Sequence, residues 1–226
     1  MQAVIELSDQ QLEVFFQGWT MQFALGRWSG SVHFSERERA VMGLAACYFA
    51  ARCPQIRMLN AGLCFAACKV VRVIAREEGI RTEPLTVTVE ASHEGHELSL
   101  GSRQPRLKRH ALAQGTLQTW SGHEIIHFPD HGAVFDPTIT QLSTWEATVL
   151  PAVAKAPAIL REGDRIPAVL EPLSINATYT VQRANFDYMR MSSWPDIEQM
   201  ANDGGKIVGP AADQLVATMH SGSSSS

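Results

Sequence analysis

The sequence predicts a single α+β domain over residues 1–220, followed by a disordered tail at 221–226. Apolar residues recur at helical spacing through the first third, and the composition turns β-rich after Gly79. Helices followed by strands are the signature of this class. Hydrophobic residues make up 45% of the 226 and charged residues 19%, which fits a compact chain with a core of its own. No internal repeat or linker divides it.

A first helix is expected from Ser8, with Gln11 in capping-box position and Leu12, Phe15, Phe16, Trp19 and Phe23 on its apolar face. The run Arg27–Ser31 breaks it. A second helix starts at Ser35, with Glu38 completing another capping box, and ends at Cys53-Pro54. After Asn60-Ala61-Gly62 an apolar helix runs from about Cys64 to Glu78 and is closed by Gly79. Leu85–Val89 alternates and is a strand. Residues 92–115 are polar and turn-rich, with one short helix or strand. Gly122–Phe128 and Ala133–Asp136 form a hairpin around Pro129–Gly132. Residues 151–172 are rich in Pro and Ala and carry no clear period. Ala177–Val181 reads as a late strand, and 194–219 has weak helical character. The final Ser-Gly-Ser-Ser-Ser-Ser is low complexity.

Several function classes fall away on composition. Net charge is −4, and the short basic cluster Arg103–His110 reads as a solvated loop, so nucleic acid is not an expected partner. No stretch reaches the ~18 consecutive apolar residues of a membrane span. The N-terminal residues carry acids and show no secretory signal, so a cytoplasmic protein is expected, or one exported without a cleavable signal peptide. Cys47, Cys53, Cys64 and Cys68 make no paired metal pattern. His93 and His96 lack the spacing of a helical zinc motif and read as part of a polar loop. No metal and no cofactor is expected.

A thiol nucleophile needs its thiolate stabilised, which a helix N-terminus and a partnered histidine do together. It also needs oxyanion donors, and the first amides of the same helix are available. Cys64 has this setting: it follows a turn and opens an apolar helix. Cys68 lies one turn deeper, where the backbone donors are already used. If Pro129–Gly132 is the hairpin loop, Phe128 opposes Ala133 and Ile125 opposes Asp136. His123 and Asp136 then share a face as diagonal neighbours about 7–8 Å apart at the backbone. A carboxylate there fixes the imidazole tautomer. His127 lies on the same face and stands as the reserve base.

Gly62-Leu63-Cys64-Phe65, then Gly122-His123 with its apolar strand, then Asp136-Pro137-Thr138 and Gln141 together resemble the transglutaminase-like branch of the papain-like cysteine peptidase superfamily. The resemblance covers about residues 55–142. It departs at Phe65, more often Trp in that branch, and at His123-Glu124-Ile125, where His-x-Trp is frequent. It implies N-terminal helices and a catalytic helix packed on an antiparallel sheet, with residues 84–91 forming the intervening strand and Tyr179–Val181 a late one. It also implies a Cys64–His123–Asp136 triad. Asn60, or Gln55, would supply an oxyanion amide upstream of the cysteine, although Asn60 also suits a turn or helix cap. Gln141 would order the Asp136 loop or lie on the surface. Trp120 and Trp145 flank the hairpin, as walls of a cleft or as core. The first two helices have no counterpart in the family.

The expected function is a cysteine-dependent hydrolase of a peptide or amide bond, acting on a peptide, protein, amide or thioester substrate through an acyl-enzyme. The alternatives are a glutamine deamidase or transglutaminase, and an acyltransferase to a small amine. From other classes come a non-catalytic binding scaffold of the same fold, and an interaction protein in which the motifs are chance. Oligomeric state is left open by the residues.

Overall fold

The computed structural model describes residues 32, 34–52, 64–93, 96–101, 122–139, 151–170, 174–182 and 197–222. The first expected helix, Gln55, Asn60, the basic cluster, Trp120, Gln141 and Trp145 lie outside them, as do residues 223–226.

Among the described residues, three helices pack together on one side of an antiparallel sheet, and the middle one lies against it. Helix α1 spans Glu36–Arg52 and begins with the expected capping box. Ser35 N–H donates to Glu38 Oε2 at 2.7 Å, and Glu38 N–H donates to Ser35 Oγ at 3.2 Å. Helix α2 spans Cys64–Glu77. It closes as a Schellman motif: Gly79 N–H bonds Arg76 O, Ile80 N–H bonds Ala75 O, and Gly79 takes a φ of 80°. Helix α3 spans Ile197–Gly222, two residues into the expected tail. It runs through Gly205, Gly209 and Pro210, whose low helix propensity blurs its pattern in the sequence. The three helices contact one another, and α2 lies against the sheet.

The seven strands among the described residues are β1 (Glu83–His93), β2 (His96–Leu100), β3 (His123–Phe128), β4 (Ala133–Asp136), β5 (Ala152–Lys155), β6 (Arg165–Leu170) and β7 (Ile175–Val181). Their order is β5-β4-β3-β1-β7-β6, with β2 pairing the far half of β1. Because β5 also packs against β6, the sheet curls nearly closed. The strand expected at 85–89 extends to both sides, and β2 is the short element expected within 92–115. His93 and His96 are corrected from a loop to paired positions of β1 and β2.

Strands β5 and β6 come from the unreadable Pro/Ala stretch. Pro167 is tolerated because β6 ends the strand order, where no neighbour requires its missing N–H. The hairpin register is as expected from Phe128–Ala133 to Ile126–Phe135.

Side chains alternate between two cores. Ile126, Phe128, Ala133 and Phe135 join the helices, while Val87, Val89, Ile125, Val134, Tyr179 and Val181 fill the interior of the curl. Both faces of β3 and β4 are therefore buried, which explains their nearly continuous apolar character. No helix among the described residues is long and apolar enough to cross a membrane.

Candidate active site

The hairpin and the start of α2 converge on one cluster of buried polar side chains. His123 and Asp136 come from the interior face of β3 and β4, since each alternates with residues of the interior core. His123 Nε2 and Asp136 Oδ2 are 2.7 Å apart. Cys64 is near enough to the same imidazole to act on its charge, favouring the protonated ring. Cys64, His123 and Asp136 are only 4%, 2% and 1% exposed, so these contacts are made away from bulk water and are strengthened by it.

Each member is held by its element. Cys64 is the first residue of α2, beside amides that have no partner within the helix. No acid occupies that first turn, so nothing within it opposes negative charge at the helix's positive end. Before His123, Gly122 has a φ of 141° and Gly101 a φ of 70°. A Cβ at Gly101 would lie 2.8 Å from Gly122 C, His123 N and Val87 O. Only glycine lets that strand end lie against the backbone of His123.

Asp136 is saturated with donors. Thr138 gives its N–H at 3.0 Å and its Oγ–H at 3.4 Å to Oδ1, while Tyr179 gives its O–H at 3.2 Å to Oδ2. Asp136-Pro137-Thr138 is thus an Asx-type turn in which the aspartate side chain caps its own following backbone. The motif has a local physical reason independent of any family.

These partners set the protonation of His123. Burial disfavours its imidazolium, but the Asp136 charge, the Asp136 hydrogen bond and Cys64 outweigh it and raise the pKa to about 10. A protonated imidazole beside a thiol is the partner a thiolate requires. Cys68 differs throughout. It is fully buried, its Sγ–H donates to Glu124 O at 3.2 Å, and burial first, then Glu124, Cys64 and Asp136, push its thiol well above the usual range. It remains a thiol.

His127, the reserve base, is turned elsewhere. Its Nε2–H donates to Pro157 O at 3.0 Å, and Nδ1 lies 3.9 Å from Glu83 Oε2. The structure gathers Cys64, His123 and Asp136 and leaves His127 outside the group. No set of three or more metal-ligating side chains occurs among the described residues.

Sequence reasoning missed two groups. Tyr179 was read only as part of a strand; the signal was a phenol at an inward position of an alternating run, where the hydroxyl needs a partner. Glu124 was noted only as a departure from His-x-Trp. It is 1% exposed, and neither carboxylate oxygen has a hydrogen-bond partner. Burial raises its pKa to about 7, against the opposing charges of Arg72 and His123. Comparison with protein-family models, curated proteins and solved structures finds no match for this chain.

Proposed function

We propose that this chain is a cysteine-dependent acyl-transfer enzyme on a papain-like scaffold of the transglutaminase-like kind, hydrolysing a peptide or amide bond. One observation carries the reading: a buried histidine lies 2.7 Å from a buried carboxylate, and the buried cysteine that opens an apolar helix acts on the charge of its ring. The helix bearing Cys64 packs on the sheet, and its two partners lie on consecutive strands, as that scaffold requires.

In the proposed reaction Cys64 attacks the carbonyl carbon as thiolate, forming the C–S bond and placing the electron pair on oxygen. The first amides of α2 accept that oxyanion. The tetrahedral species collapses, the C–N bond breaks, and the amine leaves with the proton of His123. Water then attacks the thioester while His123 takes its proton, releasing the acid and restoring Cys64. Asp136 keeps the ring oriented and stabilises its charged form. An amine in place of water gives acyl transfer by the same steps. The setting proposed is the cytoplasm.

The test is the rate of Cys64 alkylation by iodoacetamide against pH, in wild type, His123→Ala and Asp136→Ala. An activated nucleophile reacts well below the ordinary thiol pKa of about 8.5 and loses that reactivity in His123→Ala. Labelling that follows an ordinary thiol in all three proteins identifies a non-catalytic scaffold instead.

A further inference from the structure

We propose that Tyr179 is a positioning residue for the His123–Asp136 pair, its phenol holding Asp136 Oδ2 from across the interior of the curled sheet; the inference rests on His123 acting as the base.

The bond is a long-range one. Tyr179 lies on β7 and Asp136 on β4, with β3 and β1 between them in strand order. Within the ladder Tyr179 opposes Val89, whereas His123 opposes Val87 two positions away. No backbone pairing brings the two residues together, and the contact exists only because the sheet curls. Tyr179 is fully buried among Val87, Val89, Ile125 and Val134, a setting that tolerates a hydroxyl only when it is bonded. Its hydroxyl donates to the oxygen that also faces His123 Nε2.

The placement has a chemical consequence. The four acceptor positions of Asp136 are divided between Thr138 on Oδ1 and the His123–Tyr179 pair on Oδ2. Thr138 is two residues away and fixes the turn. Tyr179 shares the electron density that His123 draws on, so it tempers the carboxylate as well as aiming it. Burial, then the Asp136 charge, raise the phenol well above its usual range. The hydroxyl therefore remains a donor wherever the enzyme would work.

Imidazole titration followed by nitrogen NMR on the full chain tests this, with the His123 signal assigned by its loss in His123→Gln. In Tyr179→Phe, Oδ2 keeps only His123, and the titration should move upward by about half a unit or more. With 3-fluorotyrosine at 179, a stronger donor of nearly the same volume, it should move downward. A structural role alone lowers stability and leaves both titrations on the wild-type curve, which overturns the inference, as does a downward shift in Tyr179→Phe. If that variant does not fold, the fluorinated protein decides by itself. The readout needs no substrate. Ordinary Cys64 alkylation in wild type would sink the enzyme reading, while an unmoved titration beside activated alkylation would sink the role of Tyr179 alone.

Discussion

His123 and Glu124 are neighbours on β3, both nearly sealed from solvent and both ionisable, yet the fold treats them in opposite ways. His123 points into the curl, where Asp136 and Cys64 meet its ring. Glu124 points with Ile126 and Phe128 toward the helices, and its two oxygens meet no donor. Burial works against the charged form of each. On one side partners reverse the effect and raise the imidazole to about 10; on the other nothing does, and the carboxyl rises to about 7. The lesson is that depth alone does not mark a working group. Partner accounting does, and it separates a charge the fold holds from one it merely endures.

The largest expected effect comes from breaking the first side. His123→Ala should lower the proposed acyl-transfer activity by roughly a thousandfold or more, and Asp136→Asn by roughly a hundredfold or more, since the amide disturbs the tautomer while keeping the shape. Steady-state kinetics on an activated ester checks both. The pair also carries a stability signature. The folded pKa of His123 lies above the ordinary 6.5, so its contribution is fully present below pH 6.5 and lost as pH rises through about 10. Urea melts of His123→Gln should lack that decline.

Next in size is the backbone behind His123. Gly101→Ala places a Cβ against three backbone atoms that have no flexible end to yield, in a conformation that side chains rarely adopt. A loss of about 3 kcal/mol is expected, together with weakened Cys64 alkylation because the strand end must shift. An alanine tolerated without change in urea midpoint would mean that His123 is positioned by its side-chain partners alone.

The second side predicts a gain. Between its ordinary 4.5 and its folded value near 7, Glu124 keeps a proton that the unfolded chain releases. Stability is therefore lost as pH rises from 4.5 to 7, and the penalty remains above that, by up to roughly 3 kcal/mol. Glu124→Gln should match wild type near pH 4.5 and exceed it at pH 8 by roughly 2 kcal/mol, less than the full penalty because a buried amide also lacks partners. Equal urea midpoints at pH 8 would show that Glu124 finds a donor in solution.

How much of this was legible follows from range. The capping box at Ser35, the Gly79 closure, the hairpin register and the convergence of His123 with Asp136 rest on residues a few positions apart, so local chemistry specified them. Cys64 was legible because a helix start is a local event. Strands β5 and β6 were not, because Pro, Ala and Gly dilute the period of two. Helix α3 was legible only as weak helical character over 194–219, because its Gly204 fits against Ile74 and Tyr48, a requirement of packing that the helix's own sequence conceals. The alternation could mark Tyr179 as inward but not name its partner, and Glu124 was hidden for a related reason. Their meaning depends on which face of a curled sheet they occupy and what lies 43 and 52 residues away, at Asp136 and Arg72.

The smallest expected effect sharpens the comparison with a carboxylate that is both half-buried and well partnered. Glu38 accepts Ser35 N–H in the α1 capping box, and its other oxygen is 3.0 Å from His131 Nε2, on the turn between β3 and β4. The His131 ring stacks on Phe34 at 4.4 Å. Burial raises the Glu38 pKa, but the hydrogen bonds from Ser35 and the nearby His131 outweigh it and leave it lowered. Glu38 thus resembles His123 rather than Glu124: its partners decide its charge. Ser35→Ala removes the hydroxyl that accepts Glu38 N–H, and about 1 kcal/mol should be lost at pH 7. Because the folded pKa is depressed, the Glu38 contribution is present above 4.5 and lost as pH falls through the folded value. Glu38→Gln keeps a side chain able to close the box and gives up only the charge. Its cost should be smaller than that of Ser35→Ala at pH 7 and vanish as pH falls through the lowered folded value, as read from urea midpoints. A Glu38→Gln cost that persists in acid would place the stabilisation in packing against Phe34 and His131 rather than in charge.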